Sequence, residues 1–146
     1  MRRVIALALA AAAAACASPT EPYRLTSPAD VVLKVGQAAQ VDGVLLVRLV
    51  GVPADSRCPA TADCTWAGDA EVVITTSLDA GATATDSLHT TPAGNSVLTY
   101  GYAVSLVELT PYPQAPAPIP ANEYAARLHV AACGCVTTTE APAPRR

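Results

Sequence analysis

Phenylalanine is absent from this chain of 146 residues, tryptophan occurs once, and aromatic residues make up 4% of it. So few aromatics beside 13 prolines argue against a long helical bundle. Charge is scarce as well, at 14% of residues, with a formal net charge of −3. Loss of Arg2 and Arg3 with an N-terminal signal would take −3 to −5. The remaining basic residues are spread singly, which makes the chain a poor nucleic-acid binder. No Gly-x-Ser-x-Gly, His-Glu-x-x-His, P-loop or dinucleotide fingerprint is present. With two histidines, a Ser-His-Asp set can be drawn on paper from His129, but no spacing supports it. No close acidic pair suggests glycosidase chemistry. Asp42, Asp69 and Glu71 read as solvated carboxylates at strand ends. The expectation is therefore no enzyme, no cofactor and no metal.

What is present begins with a short basic start, Met1-Arg2-Arg3, followed by an apolar run from Val4 to Ala15. Twelve residues cannot hold a permanent span, which needs roughly 20. The run suits the apolar centre of a secretion signal over residues 1–15. Much of the 51% hydrophobic content is alanine from this stretch. It ends at Ala13-Ala14-Ala15-Cys16, which resembles the lipobox of bacterial lipoproteins, although Ala13 stands where Leu is usual. The resemblance implies that Cys16 receives lipid and becomes the first mature residue. The simpler alternative is an ordinary signal cut at an Ala-x-Ala site. Five cysteines are an odd number for an exported protein, and lipidation of Cys16 leaves four that can pair. Ala17, in place of Asp, resembles the outer-membrane class in hosts with two membranes, on the periplasmic side. Residues 16–29 read as a proline-containing tether and 137–146 as a disordered tail.

Between about 30 and 136 the pattern has period two, broken by Gly, Pro, Asn and Asp. Strands are expected at Val31–Gly36, Gln40–Val52, Glu71–Leu78, Thr83–His89, Tyr100–Leu109 and Tyr124–Ala132. Leu45, Val47 and Leu49 share one face, as do Tyr124, Ala126, Leu128 and Val130. Turns are expected at Asp79–Ala82 and Thr91–Asn95. This describes an all-β domain: an antiparallel, immunoglobulin-like β-sandwich of about seven strands, with a small barrel as the alternative. Thr110–Asn122 holds five prolines and reads as a rigid crossover over one end.

One segment is distinctive: Asp55-Ser56-Arg57-Cys58-Pro59-Ala60-Thr61-Ala62-Asp63-Cys64-Thr65-Trp66-Ala67-Gly68. Exported cysteines oxidise. Cys58 and Cys64 are close in sequence, so they are expected to pair, with Trp66 largely buried beside the bridge. Asp55, Arg57, Asp63 and Trp66 form a candidate binding edge, although the segment can equally be a structural staple. Cys133-Gly134-Cys135 can bridge only if the backbone bends at Gly134. Cross-bridging to Cys58 or Cys64 is open too, giving three pairings for four cysteines. The thiols with His89 and His129 raise a copper(I) or zinc reading, against which the ligand spacing is unusual. The segment D-S-R-C-P-x4-C-x-W-A-G, with Leu106–Pro113 later, resembles one carried by small exported bacterial proteins and lipoproteins. That resemblance implies a fold and no activity. Three functions are carried forward. The first is a non-enzymatic, lipid-anchored envelope protein that binds or supports an envelope partner, the membrane being reached through its lipid. The second is a secreted inhibitor of a protease or other hydrolase that presents the 55–66 loop. The third is a periplasmic thiol or copper-handling protein.

Overall fold

The computed structural model describes residues 22–79, 81–114 and 118–133. Among them are nine strands and two 3-10 turns, with no α-helix. The strands are β1 (Tyr23–Leu25), β2 (Ala29–Lys34), β3 (Ala38–Val41), β4 (Leu45–Asp55), β5 (Ala70–Leu78), β6 (Thr83–His89), β7 (Ser96–Thr99), β8 (Tyr102–Thr110) and β9 (Ala125–Ala132). One sheet has the order β1-β3-β4-β5-β6 and the other β2-β9-β8-β7. All neighbours are antiparallel except β1, which lies parallel to β3. The expected sandwich is present, with nine strands where about seven were counted. The barrel alternative fails, because each sheet ends on edge strands that do not meet.

Alternation builds the core. Leu45, Val47 and Leu49 of β4 and Val72 and Ile74 of β5 are fully buried. They face Leu33 of β2, Val104 of β8 and Ala126, Leu128 and Val130 of β9 in one buried cluster. Burying each Val, Leu or Ile side chain contributes about 1.5–3 kcal/mol relative to exposure.

Three local expectations need correction. Gln40–Val52 is not one strand: it folds as the β3–β4 hairpin around Asp42 (φ +53°) and Gly43 (φ +73°). Asp-Gly is a strong signal for that turn, but the Val-Leu run after it reads as continuous. Tyr100 and Gly101 likewise form a turn, joining β8 to the unforeseen β7. A register shift between Leu106 and Glu108 then turns Leu109 inward. Finally, β1 lies inside the stretch read as tether, while the tail at 137–146 lies outside the described residues.

Two polar side chains stand between the sheets. Thr76 of β5 and Thr99 of β7 are both buried and share a hydroxyl–hydroxyl hydrogen bond of 2.9 Å. Asp86, on edge strand β6, pairs with Ile74 and so faces inward. Its Oδ2 is buried without a hydrogen-bond partner among the described residues.

The threonine pair predicts strong coupling. Thr76→Val should lower stability by about 1–3 kcal/mol, because Thr99 keeps a buried hydroxyl with no partner. The double variant Thr76→Val, Thr99→Val should recover most of that loss in denaturant melts. Additive losses in the double variant would show that the hydroxyls do not depend on one another.

Candidate functional site

The distinctive segment is the loop between β4 and β5. Its backbone first continues the ladder beyond the strands: Ser56 N–H donates to Asp69 O at 2.7 Å, and Cys58 N–H to Ala67 O at 2.8 Å. Gly68 makes this possible. Its φ is +71°, and a Cβ there would stand 1.8 Å from the Ser56 carbonyl oxygen. The far part of the loop is closed by the Cys58–Cys64 disulfide, with a turn inside it where Ala62 N–H donates to Pro59 O at 3.0 Å. The expected pairing is therefore the one found.

The base of the loop is a charged knot. Arg57 Nε donates to Asp55 Oδ1 at 2.9 Å and Nη2 to Asp55 Oδ2 at 2.6 Å, a side-on bidentate pair. Nη1 donates to the Leu109 carbonyl at 2.7 Å and Nη2 also to that of Pro111 at 2.9 Å. Tyr124 Oη donates to Asp55 Oδ2 at 2.9 Å. The two charged side chains are only 6% and 8% exposed. Above the guanidinium lies the Tyr112 ring, its centroid 5.2 Å from Cζ. Burial pushes the Asp55 carboxyl up, but the Arg57 hydrogen bonds, that of Tyr124 and the Arg57 charge outweigh it and hold it below the usual range. Burial and the Asp55 carboxylate raise the Tyr124 hydroxyl.

The candidate binding edge thus divides. Asp55 and Arg57 turn inward and hold the sandwich together, while Asp63 and Trp66 point to solvent. The expectation that Trp66 is buried is wrong: it is 78% exposed. The reason is what lies beneath it. The end of the core is already closed by Leu109, Tyr124 and the Arg57–Asp55 pair, so the buried interior does not need the indole. Beside the knot, Val52, Pro59, Pro113, Ile119 and Tyr124 line an open cleft of about 430 Å³, with Asp55 and Arg57 in its wall. Ala60 N–H donates to Pro113 O at 3.0 Å and fastens the loop to the proline-rich crossover.

Other polar clusters lie outside this loop. At its exit, Asp69 accepts from Thr90 Oγ1 and the Thr91 N–H, and its Oδ2 stands 2.6 Å from His89 Nδ1. On the outer face of the second sheet, strand register sets Asp30, His129, Ser105 and Ser96 in one row. His129 Nδ1 stands 2.8 Å from Asp30 Oδ1, while Ser105 Oγ bonds Ser96 Oγ at 2.9 Å. Sequence spacing could not show this row, because register alone creates it. None of its members lines the cleft beside the knot.

Cys133 has no disulfide partner among the described residues, and Cys16, Gly134 and Cys135 lie outside them. No group of three His, Cys, Asp or Glu side chains suited to a metal gathers among the described residues. Comparison with protein-family models, curated proteins and solved structures finds no match to this chain.

Two expectations follow from the knot and the bridge. Because the folded Asp55 value lies below the unfolded 3.8, the stability it supplies is full above that value and drains as pH falls through the folded one. Melting temperature should fall below about pH 4, and Asp55→Asn should flatten that acid limb while lowering stability at neutral pH. Asp42 and Asp69 are lowered too, so part of the limb should persist. An acid limb identical to wild type in Asp55→Asn would remove Asp55 from the account.

Replacing both Cys58 and Cys64 by Ser should cost about 2–3 kcal/mol in thermal melts. Because residues 60–67 are exposed, limited proteolysis of that variant should cut there first, with the sheets intact. A melting temperature equal to wild type would show that the knot alone fixes the loop.

Proposed function

We propose that this protein is a lipid-anchored, non-enzymatic module of the bacterial cell envelope whose working surface is the 56–69 loop. The observation that carries this reading is a division of labour within one loop. Its base is buried and locked by Arg57 and Asp55, while residues 60–67, with Trp66, are exposed and cross-linked. A loop fixed in advance loses little entropy on contact. The signal-like N-terminus and Cys16 support an envelope location, and the four remaining cysteines suit an oxidising compartment.

The exposed, disulfide-closed loop also supports the second reading, a secreted inhibitor presenting this loop to a hydrolase. The two differ at the N-terminus: a secreted inhibitor needs no anchor, and an anchored module needs Cys16 modified. Expressed in a bacterium with its natural N-terminus, the protein should fractionate with membranes and carry the mass of lipid on Cys16. Cys16→Ser should release it. An intact mass with an unmodified Cys16, or a cut elsewhere, would overturn the anchor and leave the inhibitor reading to a panel of protease assays.

A further inference from the structure

We infer that the cleft beside the knot is a recognition pocket for an uncharged, apolar peptide segment of a partner protein, gripped through its side chains and one backbone carbonyl. This rests on the reading of the 56–69 loop as a working surface, since Arg57 and Pro59 of that loop line the cleft. It names what the side of the loop holds.

The walls supply the first argument. Val52, Pro53, Pro59, Pro113, Pro118 and Ile119 line a cleft of about 430 Å³, which lies within the range of roughly 300–1,000 Å³ found for ligand sites. Its sides are set in advance. The disulfide closes the loop that carries Pro59, and the Ala60–Pro113 hydrogen bond fastens that loop to the crossover. Proline has a fixed φ and almost no side-chain freedom, so these walls lose little entropy on contact. They suit apolar side chains. The cleft is open to solvent, whereas a small lipophilic molecule is better served by a site that encloses it. An open trough admits a segment that continues at both ends.

Charge supplies the second argument. Asp55 and Arg57 are the charged residues of the lining among the described residues, and they neutralise one another. The Asp55 carboxylate takes four donors: the Arg57 backbone N–H, Nε, Nη2 and the Tyr124 hydroxyl. That fills the roughly four acceptor positions of a carboxylate, so a cationic ligand finds no free acceptor in it. The Arg57 charge is spent on Asp55, which removes the pull on a phosphate or a carboxylate. A sugar needs many polar partners, and these walls are mostly proline and aliphatic. What remains is one buried donor. Four of the five guanidinium N–H groups have acceptors, but the second N–H of Nη1 has none among the described residues, on a side chain only 6% exposed. A neutral oxygen completes it, and a peptide carbonyl flanked by apolar side chains supplies that oxygen without adding charge. Gln114, exposed in the same lining, offers its side-chain amide to the backbone beside it.

The probe is the blocked tripeptide acetyl-Ala-Leu-Ala-amide, titrated to about 10 mM into the full chain carrying Cys16→Ser and followed by NMR. Signals of Val52, Ile119 and Ala121 should move and saturate, while those of β6 stay in place. Acetyl-Ala-Lys-Ala-amide and acetyl-Ala-Glu-Ala-amide should bind at least about tenfold more weakly, because neither charge has a partner in the cleft. Ala121 is exposed in the lining, so Ala121→Trp should fill the cleft and abolish the saturable shifts at an unchanged melting temperature. Gln114→Ala, at another exposed position, should weaken binding about threefold. Equal binding of either charged peptide overturns the neutral pocket. Saturable shifts from decanoate with none from the peptide would assign the cleft to an acyl chain and also overturn it. Shifts confined to residues 60–67 overturn the cleft and leave the loop as the working surface. No saturable shift anywhere overturns the cleft, and the anchor is judged separately by the lipid mass on Cys16.

Discussion

The Arg57 guanidinium is the group on which the lower end of the molecule depends. It sits just past β4 of the first sheet, and its donors reach the end of the other sheet: the Leu109 carbonyl in the last residues of β8 and the Pro111 carbonyl just beyond the strand. Asp55, its bidentate partner, accepts in turn from Tyr124 at the start of β9. One planar cation thus closes the gap between two sheets that no hydrogen-bonded ladder can bridge. A buried charge is tolerable only when its donors are filled, and here Nε, Nη1 and Nη2 all have acceptors. Removing either charge would leave the other buried and alone, which costs about 3–5 kcal/mol in comparable pairs.

The loop follows from that closure. With the end of the core closed by Leu109, Tyr124 and the Arg57–Asp55 pair, residues 60–67 are exposed. What shapes the loop is then local: Gly68 permits the close approach to Ser56, Asp69 caps the exit through Thr90 and Thr91, and the disulfide closes the tip. The outcome is a rigid stem with an exposed head. On the reading proposed here, that combination presents a head that has little left to order on contact.

Much of the fold was legible in the chain. The faces of β4, β5 and β9 follow from alternation, and the β5–β6 hairpin from alternation plus a Gly-containing turn. The β3–β4 hairpin was equally written, in Asp42-Gly43, but a longer apolar run beside it hid the turn. The site was less legible. Cysteine spacing gives the Cys58–Cys64 bridge because chain connectivity already brings the sulfurs together. The roles of Arg57 and Asp55 depend on carbonyls more than 50 residues away, and no local pattern encodes such a contact. Trp66 was misplaced for the same reason: a large apolar ring was assigned to a core whose end was already occupied. The Asp30–His129–Ser105 row exists only through strand register.

An open sandwich also faces a problem of self-recognition, and Asp86 addresses it. β6 is a free edge of seven residues whose backbone groups could template another chain. Its inward carboxylate, opposite Ile74 and with Oδ2 unpartnered, is a poor seed for that growth. A neighbouring strand that zipped onto β6 would seal the charge further from water. That one unpartnered oxygen is a local cost of the fold which also makes a second strand's pairing along β6 unfavourable.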